Sequence, residues 1–263
     1  MSQAAARPDW NPGAYARFRD LRLRPAMDLL NAVDRMGAGD IVDLGCGNGQ
    51  MGRALATRAA GRAVVGVDAS PAMLDKARQA SGYTSLQQAD IREWHPRGVP
   101  GLIFSNAALH WVGDHKALMP RLAAMLGRGG TLAVQMPHQN RAPSHRVWHS
   151  LVEELFPGRV DPADTPQILM PVQYEELLAP LGQFRMWETE YYQRLTAEKD
   201  SHPVRRFTES TYARSILGAL DPGEAADLIR AYEEVMRSAY PPRADGSVLF
   251  PFRRLFFTLT VPT

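Results

Sequence analysis

A Rossmann-like α/β fold, a parallel sheet with helices on both faces, is what this 263-residue chain predicts, on three observations. Short apolar runs alternate with helix-like segments from residue 41 to residue 136, the rhythm of parallel strands joined by right-handed crossovers. Three alternating glycines, Gly45, Gly47 and Gly49, follow the first run directly. Aspartates stand at or near the ends of successive strands: Asp43, Asp68 and Asp90.

Ahead of the glycines, Pro25 reads as the first turn of an amphipathic helix with apolar residues at 26, 29, 30, 33 and 36. The first strand, 41–44, is apolar enough to lie between two neighbours. A helix is predicted over about 50–60 and a second strand over 63–67, after which Ser70-Pro71 reads as the cap and first turn of another helix. Weaker strand character follows at 86–89, then a strong strand at 102–105, a helix at 118–126, a turn at 127–130 and a strand at 131–136. Beyond Pro137 the rhythm breaks. Helices are expected at 144–156, 174–179, 204–217 and 223–239, and strands at 184–194 and 255–261. The implied organisation is a cofactor-binding core over 1–137, including an N-terminal substrate-covering helix, and a remainder over 138–263 that finishes the sheet. A helical cap is inserted there at about 138–182 and 196–247.

A hydrophobic content of 45% supports one large core, and a formal net charge of +2 with no basic run argues against a nucleic-acid partner. Only Lys76, Lys116 and Lys199 of the 30 basic residues are lysines, so an arginine is not functional merely by being one. The single cysteine, Cys46, excludes an internal disulfide and reads as a small packed residue. Residues 1–12 lack a basic start with an apolar core, and no run of about eighteen apolar residues occurs. The expectation is a soluble cytoplasmic protein, monomer or weak dimer, with a small-molecule partner and no membrane.

Glycines at a strand end let the backbone turn and approach a ligand where side chains would collide, and the following helix start offers its NH groups. Gly47-Asn48-Gly49-Gln50-Met51-Gly52 also matches the dinucleotide fingerprint. Asp43 tips the balance toward a different ligand: a carboxylate repels a pyrophosphate but favours the cationic amino and sulfonium groups of S-adenosylmethionine. Asp68, 25 positions on, can accept both ribose hydroxyls, and Asp90 with Ile91 suits an adenine amino group and ring face. Cofactor contacts are therefore expected from Asp43, Gly45, Cys46, Gly47, Gly49, Gln50, Asp68, Ala69, Met73, Asp90, Ile91, Asn106 and Ala107, with S-adenosylhomocysteine as product.

The segment Ser105-Asn106-Ala107-Ala108-Leu109-His110-Trp111 closes the fourth strand beside the expected methyl group. His110 is a candidate base and Trp111 a candidate wall, although each is also an ordinary structural residue. His138, His145 and His149 do not read as a metal site, since no acidic or cysteine partner stands at ligand spacing.

The chain resembles the trans-aconitate 2-methyltransferase family. The residues that carry the likeness are Trp10-Asn11-Pro12, Tyr15, Arg17-Phe18, Arg22, Arg24-Pro25, the glycine loop and Gly66 to Pro71. Ser105 to Trp111, Met136-Pro137, Pro143-Ser144-His145, Tyr240 to Gly246 and Pro251 to Phe256 extend it along nearly the whole chain. The resemblance implies a seven-stranded, mostly parallel class I methyltransferase sheet with an antiparallel last strand, and esterification of one carboxylate of a small unsaturated tricarboxylate. It departs at Phe207, Glu209-Ser210-Thr211 and Ala213-Arg214-Ser215, where the family tends to carry a Trp followed by Gly-Thr and an Arg-Pro pair. Those departures bear on the acceptor, not on the cofactor loop.

With that topology, Arg253 and Arg254 open the final strand at the cofactor edge, and alternation lets only one face the pocket. Tyr15, Arg17, Arg24, His110, His138, Asn140 and His145 are the other expected acceptor contacts. A carboxylate needs no base, whereas a carbon acceptor would make His110 or His145 indispensable. Other small acids, an acyl-carrier thioester, a quinone ring, a nicotinamide dehydrogenase and a silent cofactor-binding module stay open at this level.

Overall fold

The computed structural model describes residues 19–161, 165–196 and 201–263. Its strands are β1 (Asp40–Leu44), β2 (Val64–Asp68), β3 (Ser85–Gln88), β4 (Pro100–Asn106), β5 (Thr131–Pro137), β6 (Gln183–Leu195) and β7 (Val248–Thr260), in one sheet ordered β3-β2-β1-β4-β5-β7-β6. The first five are mutually parallel and β7 runs antiparallel to both β5 and β6. The order reverses direction between β1 and β4, where an open α/β sheet leaves a crevice at its carboxyl edge.

The nine α-helices among the described residues are α1 (Arg19–Asn31), α2 (Gly52–Ala59), α3 (Pro71–Ala77), α4 (His115–Ala124), α5 (Pro143–Leu155), α6 (Pro171–Leu178), α7 (Pro203–Glu209), α8 (Arg214–Gly218) and α9 (Pro222–Ala239). Strand periodicity sorts the core onto two faces. Ile41, Leu102, Phe104, Ala133 and Phe256 point toward Leu29 and Val33 of the α1 side and Leu55 of α2. Val42, Ile103, Val134, Leu255 and Phe257 point the other way, onto Leu118 and Leu122 of α4 and Tyr174 of α6.

Three expectations fail in instructive ways. Pro25 lies inside α1, which already runs from Arg19, so this proline does not mark the start. The helix expected over 204–217 is two helices broken at Ser210–Ala213. The last strand begins at Val248, not 255, so Arg253 and Arg254 sit inside it and do not open it. Phe250 and Phe252, buried on one face, belong to a cap core with Trp148, Phe207, Tyr232 and Met236, separate from the sheet core. Residues 248–253 of β7 lie beyond the end of the β5 ladder and keep β6 as their strand partner, and the cap is built on that projection.

At the centre of the cap, Trp148 stacks on Tyr232 with ring centroids 3.8 Å apart and donates its indole NH to Thr208 Oγ1 at 3.1 Å. Both rings are fully buried. Trp148→Ala should cost about 3–5 kcal/mol by cavity formation and the loss of the indole hydrogen bond to Thr208. Urea denaturation followed by far-ultraviolet dichroism checks it, the expected outcome being a clear fall in midpoint.

Candidate active site

One cleft of about 860 Å³ lies over the carboxyl ends of β1, β2, β4 and β5 and under the cap. That volume is ample for a small-molecule site. Its floor on one side is the β1–α2 loop. Gly45 has φ of +80°, and a Cβ there would lie 2.2 Å from the Cβ of Ala108, so only glycine fits. Gly47, at φ +53°, has open space where a side chain would be and presents bare backbone to the cleft.

Gly49 does not face the cleft. A Cβ on it would lie 2.9 Å from Ala77 Cα, so this glycine lets α3 pack against the loop, a correction to its expected role as a cofactor contact. Gly52 likewise makes room for a ring, since its Cβ would come within 2.6 Å of Tyr83 Cε2. Two glycines of the apparent dinucleotide fingerprint are thus explained by packing.

Tyr83, which the sequence did not single out, donates its hydroxyl to Asp43 Oδ2 at 2.6 Å. Asp43 is 3% exposed, and burial raises its carboxyl to about 7, against the pull of the Tyr83 bond and with some help from the negative Asp68. Asp68 Oδ2 accepts from Gly47 NH at 2.8 Å and its Oδ1 from Ser70 NH at 2.9 Å, so it braces the loop while facing the cleft. The α3 cap is Ser70, whose hydroxyl accepts from Met73 NH at 3.2 Å. Asp90 faces the cleft too, held below the usual carboxylate range by the hydrogen-bonded Arg92 guanidinium beside it. Cys46, Gln50, Ala69, Met73, Ile91, Asn106 and Ala107 all line the same end.

Two buried groups at this end have no protein partner, Gln50 Nε2 and Asn106 Oδ1. With Asp43 and Asp68 the set is dominated by acceptors, which suits a cationic ligand bearing hydroxyls. A diphosphate would meet carboxylates here.

The other end of the cleft begins where β4 stops. Ala107 takes the left-handed conformation at φ 52°, uncommon for a residue with a side chain, and the chain turns into a short 3-10 segment that carries His110 and Trp111 over the cleft. His110 and His145 are buried, and burial lowers both rings to about 3, with the positive Arg254 adding to the effect on His110. Arg254 is 4% exposed, lines the cleft and lies over the Phe252 ring at 4.8 Å. Asn140 lines the cleft as expected, with its amide NH donating to the Pro166 carbonyl at 3.0 Å.

Three expected acceptor contacts lie elsewhere. Arg24 is on the surface, its side chain 77% exposed and 3.8 Å from Asp28. His138 turns away to pair with Glu188. Arg253 points out of the sheet's pocket face toward Glu190 at 3.9 Å, so alternation has chosen Arg254. Tyr15 and Arg17 lie outside the described residues. The cleft also takes Thr165, Pro166 and Gln167 and the cap residues Phe207, Thr211 and Tyr212, none of which the sequence placed there. In the sequence Phe207 and Thr211 stand out only as departures from the family pattern.

The strand order, the two-ended cleft and the acidic glycine loop define a class I methyltransferase. Residues 41–130 match the methyltransferase-domain family. Solved structures at low identity share the fold: YcgJ of Bacillus subtilis (TM-score 0.59, 13% identity, covering 92% of this chain and 99% of that one) and a putative methyltransferase of Bacillus halodurans (TM-score 0.55, 14% identity, 91% and 100%). Among curated proteins, the trans-aconitate 2-methyltransferases of Methylobacterium radiotolerans and Azoarcus sp. are 38% and 39% identical, covering 94% and 95% of this chain and 96% and 98% of their own lengths. The chain belongs to the trans-aconitate 2-methyltransferase family. No helix among the described residues is long and apolar enough to cross a membrane.

The Asp43 carboxyl sits at about 7 in the folded protein against an ordinary 3.8, so the fold retains a proton that the unfolded chain has already lost between those values. Its contribution to stability is full below about pH 4 and is lost as pH rises through about 7. Between about pH 5 and about pH 8 the ligand-free wild type should therefore lose more stability than Asp43→Asn, as urea midpoints would show.

Proposed function

We propose that this enzyme transfers the methyl group of S-adenosylmethionine to a carboxylate oxygen of trans-aconitate, giving a monomethyl ester and S-adenosylhomocysteine. The observation that carries the reading is the make-up of the acceptor end: among the described residues, one cation, Arg254, stands beside two histidines too weakly basic to take a proton from carbon. An acid that is already ionised needs no base. The curated relatives are named for this reaction.

When bound, S-adenosylmethionine would supply an electrophilic methyl carbon for the carboxylate oxygen, a transfer that needs no proton moved. The chain's contribution is binding and alignment. In this reading Asp68 would take the ribose hydroxyls, Asp90 and Ile91 the adenine, and Asp43, Gln50 and Asn106 the methionine end of the ligand. Gly45, Cys46, Gly47, Ala69, Met73 and Ala107 shape the cradle. His110, Trp111, Asn140, His145 and Arg254 form the acceptor wall. Holding oxygen and methyl carbon in line can lower the barrier by about 7–11 kcal/mol.

Enzyme given methyl-labelled S-adenosylmethionine and trans-aconitate should release label as a base-labile ester; failure with this and every other small carboxylic acid would sink the reading. Asp68→Ala should weaken cofactor binding at least about tenfold by calorimetry, the worth of one charge-assisted hydrogen bond. A cationic ligand favours ionised Asp43, so wild-type affinity for the cofactor should rise with pH until it passes about 7 and then level off. In Asp43→Asn the same titration should be flat.

A further inference from the structure

Gln135 is an anomaly in β5. It is fully buried among Leu132, Ala133, Val134 and Met136, where an apolar side chain would pack at no polar cost. Its Oε1 accepts a hydrogen bond from Arg254 Nη1 at 3.3 Å, and its Nε2 has no protein partner. An amide left half-satisfied in a sheet interior does not stabilise the fold, so its presence calls for another reason.

The neighbours supply one. Gln135 stands opposite Phe256 in the β5–β7 ladder, and Arg254 lies two residues along the same face of β7. Arg254 has the Phe252 ring under its guanidinium at 4.8 Å and the Gln135 oxygen on one of its NH groups, while the side chain also lines the cleft. Those two supports fix the plane of the guanidinium fork. Close by, His110 lines the cleft with a buried Nδ1 that has no protein partner. Planar carboxylates are bound best by such a fork held in one orientation.

We propose that Gln135 is a positioning residue that aims Arg254, and that Arg254 with His110 Nδ1 anchors a carboxylate of the acceptor other than the one that takes the methyl. This rests on the carboxylate-esterification reading above. One cation clamped at a distance from the cofactor loop can hold an acid by its far end while its near end stays free to react. The anchor would select acids bearing at least two carboxylates, and it assigns to a buried core residue a part in acceptor choice.

The test is steady-state kinetics of Gln135→Met, Arg254→Ala and the double variant with trans-aconitate, alongside cofactor calorimetry. For Gln135→Met, which keeps volume and removes the acceptor oxygen, KM for trans-aconitate should rise about tenfold with kcat within about twofold and cofactor affinity unchanged. Arg254→Ala should raise KM more, and adding Gln135→Met to it should cost nothing further. An unchanged KM in Gln135→Met, penalties that multiply in the double variant, or a fall in cofactor affinity would each overturn the assignment. Should Gln135→Met fail to fold, Gln135→Glu keeps size and oxygen but cancels the Arg254 charge, and must raise KM clearly; a wild-type KM there overturns the proposal. A wild type that binds cofactor yet esterifies no acid overturns the proposed function and the anchor together, whereas a working wild type with indifferent Gln135 variants overturns the anchor alone.

Discussion

Everything at the site depends on where two strands running in opposite directions are brought to one edge of the sheet. The parallel strands β1, β2, β4 and β5 all deliver their carboxyl ends there, which concentrates loops, backbone NH groups and acidic side chains on one rim. A strand longer than its neighbours can bring a mid-strand side chain to that rim while its chain continues beyond it. β7 does so, with Arg254 opposite Pro137, the last residue of β5. Moving the register by one residue would turn Arg254 out and Arg253 in, and would bury the wrong face of Leu255-Phe256-Phe257.

The result is a cleft with opposite electrostatics at its two ends. Asp43 and Asp68 lie at the loop end, and Arg254 lies across from them beside two neutral imidazoles. Such a division sorts ligands before any contact is made: cationic groups are favoured at the loop and anionic groups under the cap. The histidines matter for what they do not do. Were His110 and His145 charged, each would add a buried cation beside Arg254, and the cost of keeping the cleft unfilled would be large. Neutral rings keep the site polar and leave the charge to one well-supported arginine.

How much of this is legible in the sequence follows from the range of the interactions involved. The strand–glycine–helix unit is local, and Gly45, Gly47, Asp43 and Asp68 are found where pattern and spacing put them. Gly49 and Gly52 share that pattern but answer to Ala77 and Tyr83, each more than twenty-five residues away in the chain. Periodicity cannot separate a glycine that touches a ligand from one that makes room for a neighbour. The Tyr83–Asp43 bond spans 40 residues and leaves no local trace. Arg24 and His138 were misplaced for a related reason: each found a carboxylate, Asp28 and Glu188, whose position depends on tertiary packing. Thr211 and Tyr212 reach the cleft from the break between α7 and α8, whereas Phe207 reaches it from α7 itself, and a continuous helix over 210–213 would have aimed the first two differently.

The length of β7 ties these observations together. A strand over 255–261 alone would complete the sheet, and its apolar run is what the sequence advertises. The residues 248–254 that precede it read as a broken pattern because they serve two masters. Phe250 and Phe252 are buried in the cap core, while Leu249 and Arg253, their alternates, face solvent. Arg254 is the point at which one pattern gives way to the other, and Phe252, two residues before it, belongs to the cap and at the same time underlies its guanidinium. Cap and cleft are therefore joined through one continuous backbone at Arg254, with Gln135 of β5 holding that residue from the sheet side. Arg254 is thereby referenced to the sheet, which also fixes the glycine loop, so both ends of the cleft take their spacing from the same set of hydrogen-bonded strands.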